Sequence, residues 1–197
     1  MKTQTQKLFT EGAMIVFSVL FALFISQVVE NQKARKEKER VLNYIFQELS
    51  DNAETLERWE DKHGQIRDRL RSMVQNRQDS VRESIIAGGR MDFEKITNGE
   101  VLIDALLTET AWEAAKSTKV VADFDFEQVQ EFTRIYSLQN IIMRGTAAKF
   151  FDVYMDRETH DMKNLETTLI QLNLVMEEMV GQEQTLFYMI REALKNQ

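Results

Sequence analysis

The chain has 197 residues, a net charge of −7, no proline, no cysteine and only seven glycines. The absence of proline, together with abundant Glu, Gln, Leu, Lys and Arg, favours long uninterrupted helices. The absence of cysteine excludes disulfides and thiolate metal sites, and the acidic balance argues against a nucleic-acid partner.

The first segment of note is 13–29, which carries no charge and few polar side chains. As a helix it covers roughly 25 Å, the short end of what crosses a hydrocarbon core. We therefore predict a short N-terminal tail over 1–12 and a transmembrane helix over 13–29. A cleaved signal peptide is less favoured, because the run is long and Ser26-Gln27-Val28-Val29 offers no small-x-small cleavage site. A type IV pilin leader is a weaker alternative still, because Leu8 stands at the place of the processing glycine.

Three small residues in this predicted span, Ser18, Ala22 and Ser26, recur at every fourth position. Such a stripe is typical of close helix–helix packing in membranes. Serine and alanine are also common enough in such segments for the pattern to arise by chance. If the stripe is functional, it predicts lateral association with a second copy or with a partner's transmembrane helix.

A basic cluster follows the span. Its members, which we interpret as interfacial anchors, are Lys33, Arg35, Lys36, Lys38 and Arg40. They outnumber Lys2 and Lys7 before the span, and the interleaved glutamates count little in the positive-inside rule. The rule places the C-terminal part in the cytoplasm, by a small margin.

A heptad pattern then continues for more than four heptads. Apolar or ambivalent residues alternate in steps of three and four: Leu42, Ile45, Leu49, Asn52, Leu56, Trp59, His63, Ile66, Leu70 and Met73. This seam predicts a single stalk helix over 30–87, continuous with the membrane span.

Residues 88–197 are predicted to form a helical domain that packs on the stalk. We expect a helix over 101–117, which a short turn or 3₁₀ piece near Thr108-Glu109-Thr110, a possible N-cap before Ala111, would split. We expect another helix from 126 to about 156, and a last helix that begins after Thr159 or Asp161. Trp112 lies between alanines and is interpreted as a core anchor, with a ligand pocket as the alternative. The last helix carries a second seam: Leu165, Leu169, Leu172, Met176, Met179, Leu186, Ile190 and Ala193. The sequence thus predicts an all-α protein in which stalk and C-terminal helices form an antiparallel bundle.

No catalytic set stands out in the sequence. Glu60-x-x-His63 has the spacing of half a di-iron site, but Arg157 occupies the matching place before His160. Gly88-Gly89-Arg90 lacks the Lys-Ser/Thr of a phosphate loop. We predict no catalytic residue, no cofactor and no metal.

Two segments resemble a group of uncharacterised bacterial membrane proteins. Residues 9–24 (FTEGAMIVFSVLFALF) are similar to that group's membrane helix, with its pattern E-x-x-x-I-V-x-x-V-L-x-A-L ahead of a basic-acidic stalk. Residues 110–117 (TAWEAAKS) are similar to its helical segment, and 136–139 (YSLQ) also fit. The tryptophan common after the span in that group is absent at Val29-Glu30-Asn31. The resemblance implies a bacterial single-pass protein of a domain-of-unknown-function family and supplies no activity.

These observations predict a non-enzymatic accessory or scaffold protein anchored in the bacterial inner membrane. The expected partners are the lipid bilayer and either a second copy, as a homo-oligomer, or the subunits of a larger membrane complex. The alternative is a small-ligand sensor module that signals through a partner protein.

Overall fold

The computed structural model describes the backbone of residues 2–195 and the side-chain surroundings of residue 12 and residues 14–195. Over these residues the secondary structure is helical, with no strand, which confirms the prediction of an all-α protein. The α-helices are α1 (Lys2–Gln75), α2 (Ser80–Gly88), α3 (Phe93–Thr97), α4 (Thr110–Ser117), α5 (Phe126–Asn140), α6 (Ala147–Met155) and α7 (Leu165–Lys195). A π-helical turn, Ile141–Thr146, joins α5 to α6, and short 3₁₀ turns occupy Val120–Asp123, Arg157–His160 and Met162–Asn164.

Helix α1 runs through 74 residues from the apolar segment into the folded domain. It covers residues 2–12 of the predicted tail, so these residues belong to the helix rather than to a separate element. The side chains of residues 1–11 and Ala13 lie outside the described part. They include Lys2 and Lys7, the basic residues before the predicted span.

The predicted end of the stalk at residue 87 is wrong, because α1 ends at Gln75 and α2 is a separate helix. The carboxylate of Asp79 caps α2 by accepting from the backbone N–H groups of Val81 at 2.9 Å and Arg82 at 3.1 Å. The Arg82 guanidinium in turn donates to the carbonyl of Met73 at 2.8 Å, one of the acceptors left free at the end of α1. The seam residues end at Met73, two residues before the end of α1, but the helix-compatible sequence of α2 continues to Gly88, so the break was not predicted.

The predicted helix over 101–117 is also only partly correct, since α4 covers Thr110–Ser117 alone. Residues 98–109, here called the strap, run without α-helix along α1 in the opposite direction. Thr108 bonds Asn52, whereas Leu102 bonds His63 further along α1. The strap stays out of helical geometry because polar side chains of α1 satisfy several of its backbone groups.

The remaining helices complete an antiparallel bundle. Helix α5 runs parallel to α1, since Phe46 lies 5.7 Å from Phe132 between ring centroids and the later Asn52 lies 3.1 Å from the later Gln139. Helix α7 runs antiparallel to α1, since Arg71 lies 3.1 Å from Glu177 whereas Glu57 lies 3.7 Å from Arg191.

The two predicted seams face each other in the core. The buried seam residues are Ile45, Leu49, Leu56, Trp59, Ile66, Leu70, Met73, Leu165, Leu169, Leu172, Met176, Met179, Leu186, Ile190 and Ala193, and Leu42 is half-buried at the edge. Trp112 is also buried and stacks on Tyr136 at 5.8 Å between ring centroids. It therefore lies in the core, where it joins α4 to α5.

Candidate functional site

A continuous run of exposed apolar side chains covers residues 14–29 of α1. An 18-residue window of this helix has a mean hydropathy of 1.9, and none of it is buried in the protein. Phe17 is 69% exposed and Phe24 is 63% exposed. Soluble monomers rarely present a contiguous apolar surface of this extent, and an uninterrupted helix satisfies its own backbone groups as a bilayer requires. By length and composition this segment is a candidate membrane span.

The small-residue stripe lies on this exposed segment. Ser18, Ala22 and Ser26 are all exposed, so no described part of the chain covers them. The hydroxyl of Ser18 donates to the carbonyl of Met14 at 2.8 Å, within the helix. The stripe thus leaves a shallow face open to a neighbouring helix.

The five predicted anchors differ in their surroundings. Lys33 and Lys36 are exposed on α1, and Arg35 and Arg40 pair within the helix at 3.1 Å and 2.7 Å. Lys38 instead reaches Asp125 of the domain at 3.2 Å, with 23% of its side chain exposed. The domain therefore begins at Lys38, nine residues or about 14 Å of helix beyond Val29.

A buried hydrogen-bonded pair lies inside the bundle. His63 Nδ1 lies 2.9 Å from the carboxylate of Glu183, and its Nε2 lies 2.7 Å from the carbonyl oxygen of Leu102. Because a carbonyl oxygen only accepts, Nε2 carries a proton, and one further proton is shared between Nδ1 and Glu183. His63 is 0% exposed and Glu183 is 3% exposed. This arrangement joins α1, the strap and α7 at one point.

The sequence reasoning missed Glu183, although a signal was present. The seam of α7 passes from Met179 to Leu186, and Glu183 occupies the position between them. On α1 the seam also has a polar member, His63. Two polar residues in facing seams are the pattern that predicts a buried pair.

A second polar cluster fastens the start of α4. Tyr136 Oη donates to Glu48 at 2.7 Å, and the backbone N–H of Ala111 donates to the same carboxylate at 3.0 Å. Burial, and then the hydrogen bond to Glu48, raise the pKa of the Tyr136 phenol. Asn52 meanwhile donates to the carbonyl of Thr108 at 2.7 Å and accepts from its N–H at 2.8 Å. These bonds hold the C-terminal end of the strap against α1.

A third contact holds the middle of the strap. Trp59 Nε1 donates to Asp104 at 2.7 Å, and Lys62 Nζ lies 3.0 Å from the same carboxylate and 2.8 Å from the carbonyl of Val101. The hydrogen bonds from Trp59 and Lys62 lower the pKa of Asp104.

Several buried polar residues are thus occupied in bonds between elements of the fold, namely Glu48, Asn52, His63, Arg82, Gln139 and Glu183. Glu60, the other half of the metal-like spacing, accepts from Gln184 at 3.4 Å rather than joining His63. Within the described residues no group of three or more His, Asp or Glu side chains converges on a possible metal position.

An open cleft of about 310 Å³ lies between α3, the strap and α6. Its walls come from residues 93–102 and 150–154, which are distant in sequence. No motif of the sequence marks it.

No protein-family model, no curated protein and no solved structure matches this chain. The fold and the exposed segment define its class as an all-α helical bundle with one candidate membrane span. The resemblance to uncharacterised bacterial membrane proteins stays a prediction.

Proposed function

We propose that this protein is a membrane-anchored, non-enzymatic accessory or scaffold protein that self-associates or joins a larger membrane complex. The observation that carries the proposal is α1 itself, whose exposed apolar start continues without a break into the packed domain. An uninterrupted helix holds the domain at a set height and rotation relative to its own span. That geometry suits a protein that presents a surface to neighbours in the same membrane.

The side chains inside the domain support a structural role for it. The polar groups that an enzyme would use, such as His63, Glu183 and Glu48, are buried in contacts that join α1 to the strap, α4, α5 and α7. The open stripe of Ser18, Ala22 and Ser26 supports association through the span.

Native electrophoresis after extraction in a maltoside detergent tests the association. We expect a species larger than the monomer, or a co-purifying partner. Ala22→Leu should weaken the assembly because it fills the stripe, whereas the matched variant Leu20→Phe adds bulk on the opposite face and should not. A strict monomer without a partner would contradict the proposal.

We place the protein in the bacterial inner membrane with its domain in the cytoplasm. The support is the basic cluster after the span, of which Lys33, Arg35 and Lys36 are exposed. Two C-terminal fusions test the topology, one to a reporter active only in the cytoplasm and one to a reporter active only in the periplasm. Activity of the cytoplasmic reporter alone is expected, and the reverse would overturn the orientation.

The second candidate function is a ligand sensor that signals through a partner. The cleft beside α3 favours it, because a preformed cavity with apolar walls is where small molecules bind. A ligand specific for the folded state would raise the unfolding temperature of the domain.

A further inference from the structure

We infer that the cleft between α3, the strap and α6 binds a small organic cation with an alkylated nitrogen, such as a quaternary ammonium. This inference rests on the second candidate function and names its ligand class. The cleft is lined by four aromatic residues and by two carboxylates. The aromatic residues are Phe93, Phe150, Phe151 and Tyr154, and the carboxylates belong to Glu94 and Glu100.

The aromatic rings stand at steep angles to one another. The ring centroids of Phe93 and Tyr154 are 4.2 Å apart, and their ring planes make an angle of 89°. For Phe150 and Phe151 the centroid distance is 6.3 Å and the angle is 84°. Phe93 and Phe150 are largely covered by these neighbours, at 9% and 3% exposed, so the ring surface open to the cleft belongs to Phe151 and to the half-buried Tyr154. The negative face of an aromatic ring attracts cations, and alkylated ammonium groups are the ligands most often held this way.

Apolar surface is left open at this cleft. Val101 is 64% exposed and Phe151 is 39% exposed, although the chain buries most of its other large apolar residues beyond the span. The alkyl groups of a ligand would cover this surface.

The acidic side chains at the cleft favour a ligand with a positive charge. Glu94 and Glu100 are exposed, and no lysine or arginine is among the lining residues. Lys95, the nearest base in the sequence, is directed to Ser84 at 2.6 Å and to Asp92 at 3.6 Å. Lys62 reaches the carbonyl of Val101 at 2.8 Å, and Glu100 also lines a neighbouring cleft with Arg58 and Arg69. The Glu94 carboxylate is therefore the main charge that favours a cation over an anion here, and Glu100 adds to it.

A tight turn fixes the backbone between Glu94 and Glu100 before any ligand arrives. Asn98 and Gly99 both have a positive φ, of 59° and 76°, which reverses the chain after α3. The N–H of Gly99 donates to the carbonyl of Glu94 at 2.8 Å, and the N–H of Glu100 donates to the carbonyl of Thr97 at 3.2 Å. Preorganisation of this kind lowers the entropic cost of binding.

The cleft is at the small end of ligand cavities, so the ligand is a small molecule. A neutral apolar compound of the same shape would use the rings and leave the carboxylates unused. Choline and its uncharged carbon isostere, 3,3-dimethylbutan-1-ol, therefore separate the two contributions.

The test uses the full chain in maltoside micelles and measures the affinity of choline and of the isostere by saturation-transfer NMR. We expect choline to bind about tenfold more tightly, because both ring faces and carboxylates favour the charge. The Glu94→Gln/Glu100→Gln double variant should weaken that preference, because only the ring faces then favour the charge, and should leave the affinity for the isostere unchanged. Glu127→Gln, in the first turn of α5 and outside the cleft, is the matched control and should keep the preference.

Each other outcome has a defined meaning. Equal binding of the two compounds by the native chain would overturn the cation assignment while leaving a sensor with a neutral ligand. Binding of neither would overturn the cation site and remove the support that the cleft lends to a sensor. Weakening of the preference in Glu127→Gln as well would show a general charge effect and also count against the site.

Discussion

Residues 14–29 and residues 45–73 belong to the same helix, yet they are built for opposite surroundings. The first stretch is apolar on every side and fully exposed, whereas the second is apolar only at steps of three and four, and those positions are buried. A helix that is apolar all round needs an apolar solvent, and a helix with one apolar stripe needs a protein core. The comparison shows how one continuous helix combines a candidate anchor with the first element of a soluble-type bundle.

The two stretches also differ in their polar side chains. The first contains no charged residue, whereas the second buries Glu48, Asn52 and His63. In the second stretch the polar residues find partners on the strap, α4, α5 and α7. The following substitutions test this difference between the two stretches, in order of decreasing expected effect.

Removal of one member of the buried pair should damage the domain alone. Glu183→Ala leaves His63 without its carboxylate, and we expect the free energy of unfolding to fall by about 3–5 kcal/mol. Urea unfolding followed by tryptophan fluorescence measures the loss, while membrane retention should not change. The double variant His63→Leu/Glu183→Leu should cost less than the single one, and a larger cost would contradict a paired role.

Truncation of a leucine to alanine should destabilise the domain in the second stretch and leave its stability unchanged in the first. Leu49 is 0% exposed, and Leu49→Ala should lower the free energy of unfolding by about 3 kcal/mol because it leaves a cavity. Leu20 is 60% exposed, and Leu20→Ala should leave the unfolding transition of the domain in place. Equal effects in the urea titration would mean that the first stretch also packs on the domain.

A charge placed in the first stretch should affect insertion rather than folding. Leu20→Arg is expected to cost about 3 kcal/mol of insertion free energy at the centre of a span. Alkaline extraction of membranes, with quantification of the retained fraction, measures this loss. Ser50→Arg, at an exposed position of the second stretch, is the control and should be retained normally. Unchanged retention of Leu20→Arg would show that the segment does not cross the bilayer.

The smallest effect is expected at the turn that ends α1. Asp79→Ala removes the cap of α2 and should cost about 1 kcal/mol at neutral pH. Burial alone would raise the pKa of Asp79, but hydrogen bonds from Ser72, Arg82 and Val81 lower it below the ordinary value of 3.8. The stabilisation is therefore present above pH 3.8 and is lost as the pH falls through the lower folded-state pKa.

Urea titrations of Asp79→Ala and of the native chain at neutral and strongly acidic pH measure this dependence. The difference between the two proteins should shrink in acid. Asp61→Ala, on the exposed face of α1, should show no comparable difference at either pH. A constant difference for Asp79→Ala would mean that the carboxylate does not act through its charge.

The sequence predicted the elements whose signal is local and repeated. The seams of α1 and α7 were readable because a buried helix face recurs every three to four residues, and the residues expected there lie in the core. The π-helical turn at Ile141–Thr146 did not disturb the apolar period of α5 and α6, so the predicted extent of 126 to about 156 agrees with their combined range of Phe126–Met155.

The elements that were missed depend on contacts between distant segments. Residues 101–109 have helix-compatible composition, but Asn52, Lys62 and His63 bond their backbone groups and hold them in the strap. The cleft likewise needs Phe93 and Phe150, which only the packing of α3 against α6 brings together.

The amino-acid sequence by itself determined that this protein is helical, that its first helix carries an exposed apolar segment, and which faces of the long helices are buried. The tertiary structure alone decided where α1 stops, which polar side chains pair inside the bundle, and where a cavity opens. The physical reason is the sequence separation of the residues that interact. Helical periodicity repeats every few residues, whereas a hydrogen bond between His63 and Glu183 forms only when α1 and α7 have packed in one register.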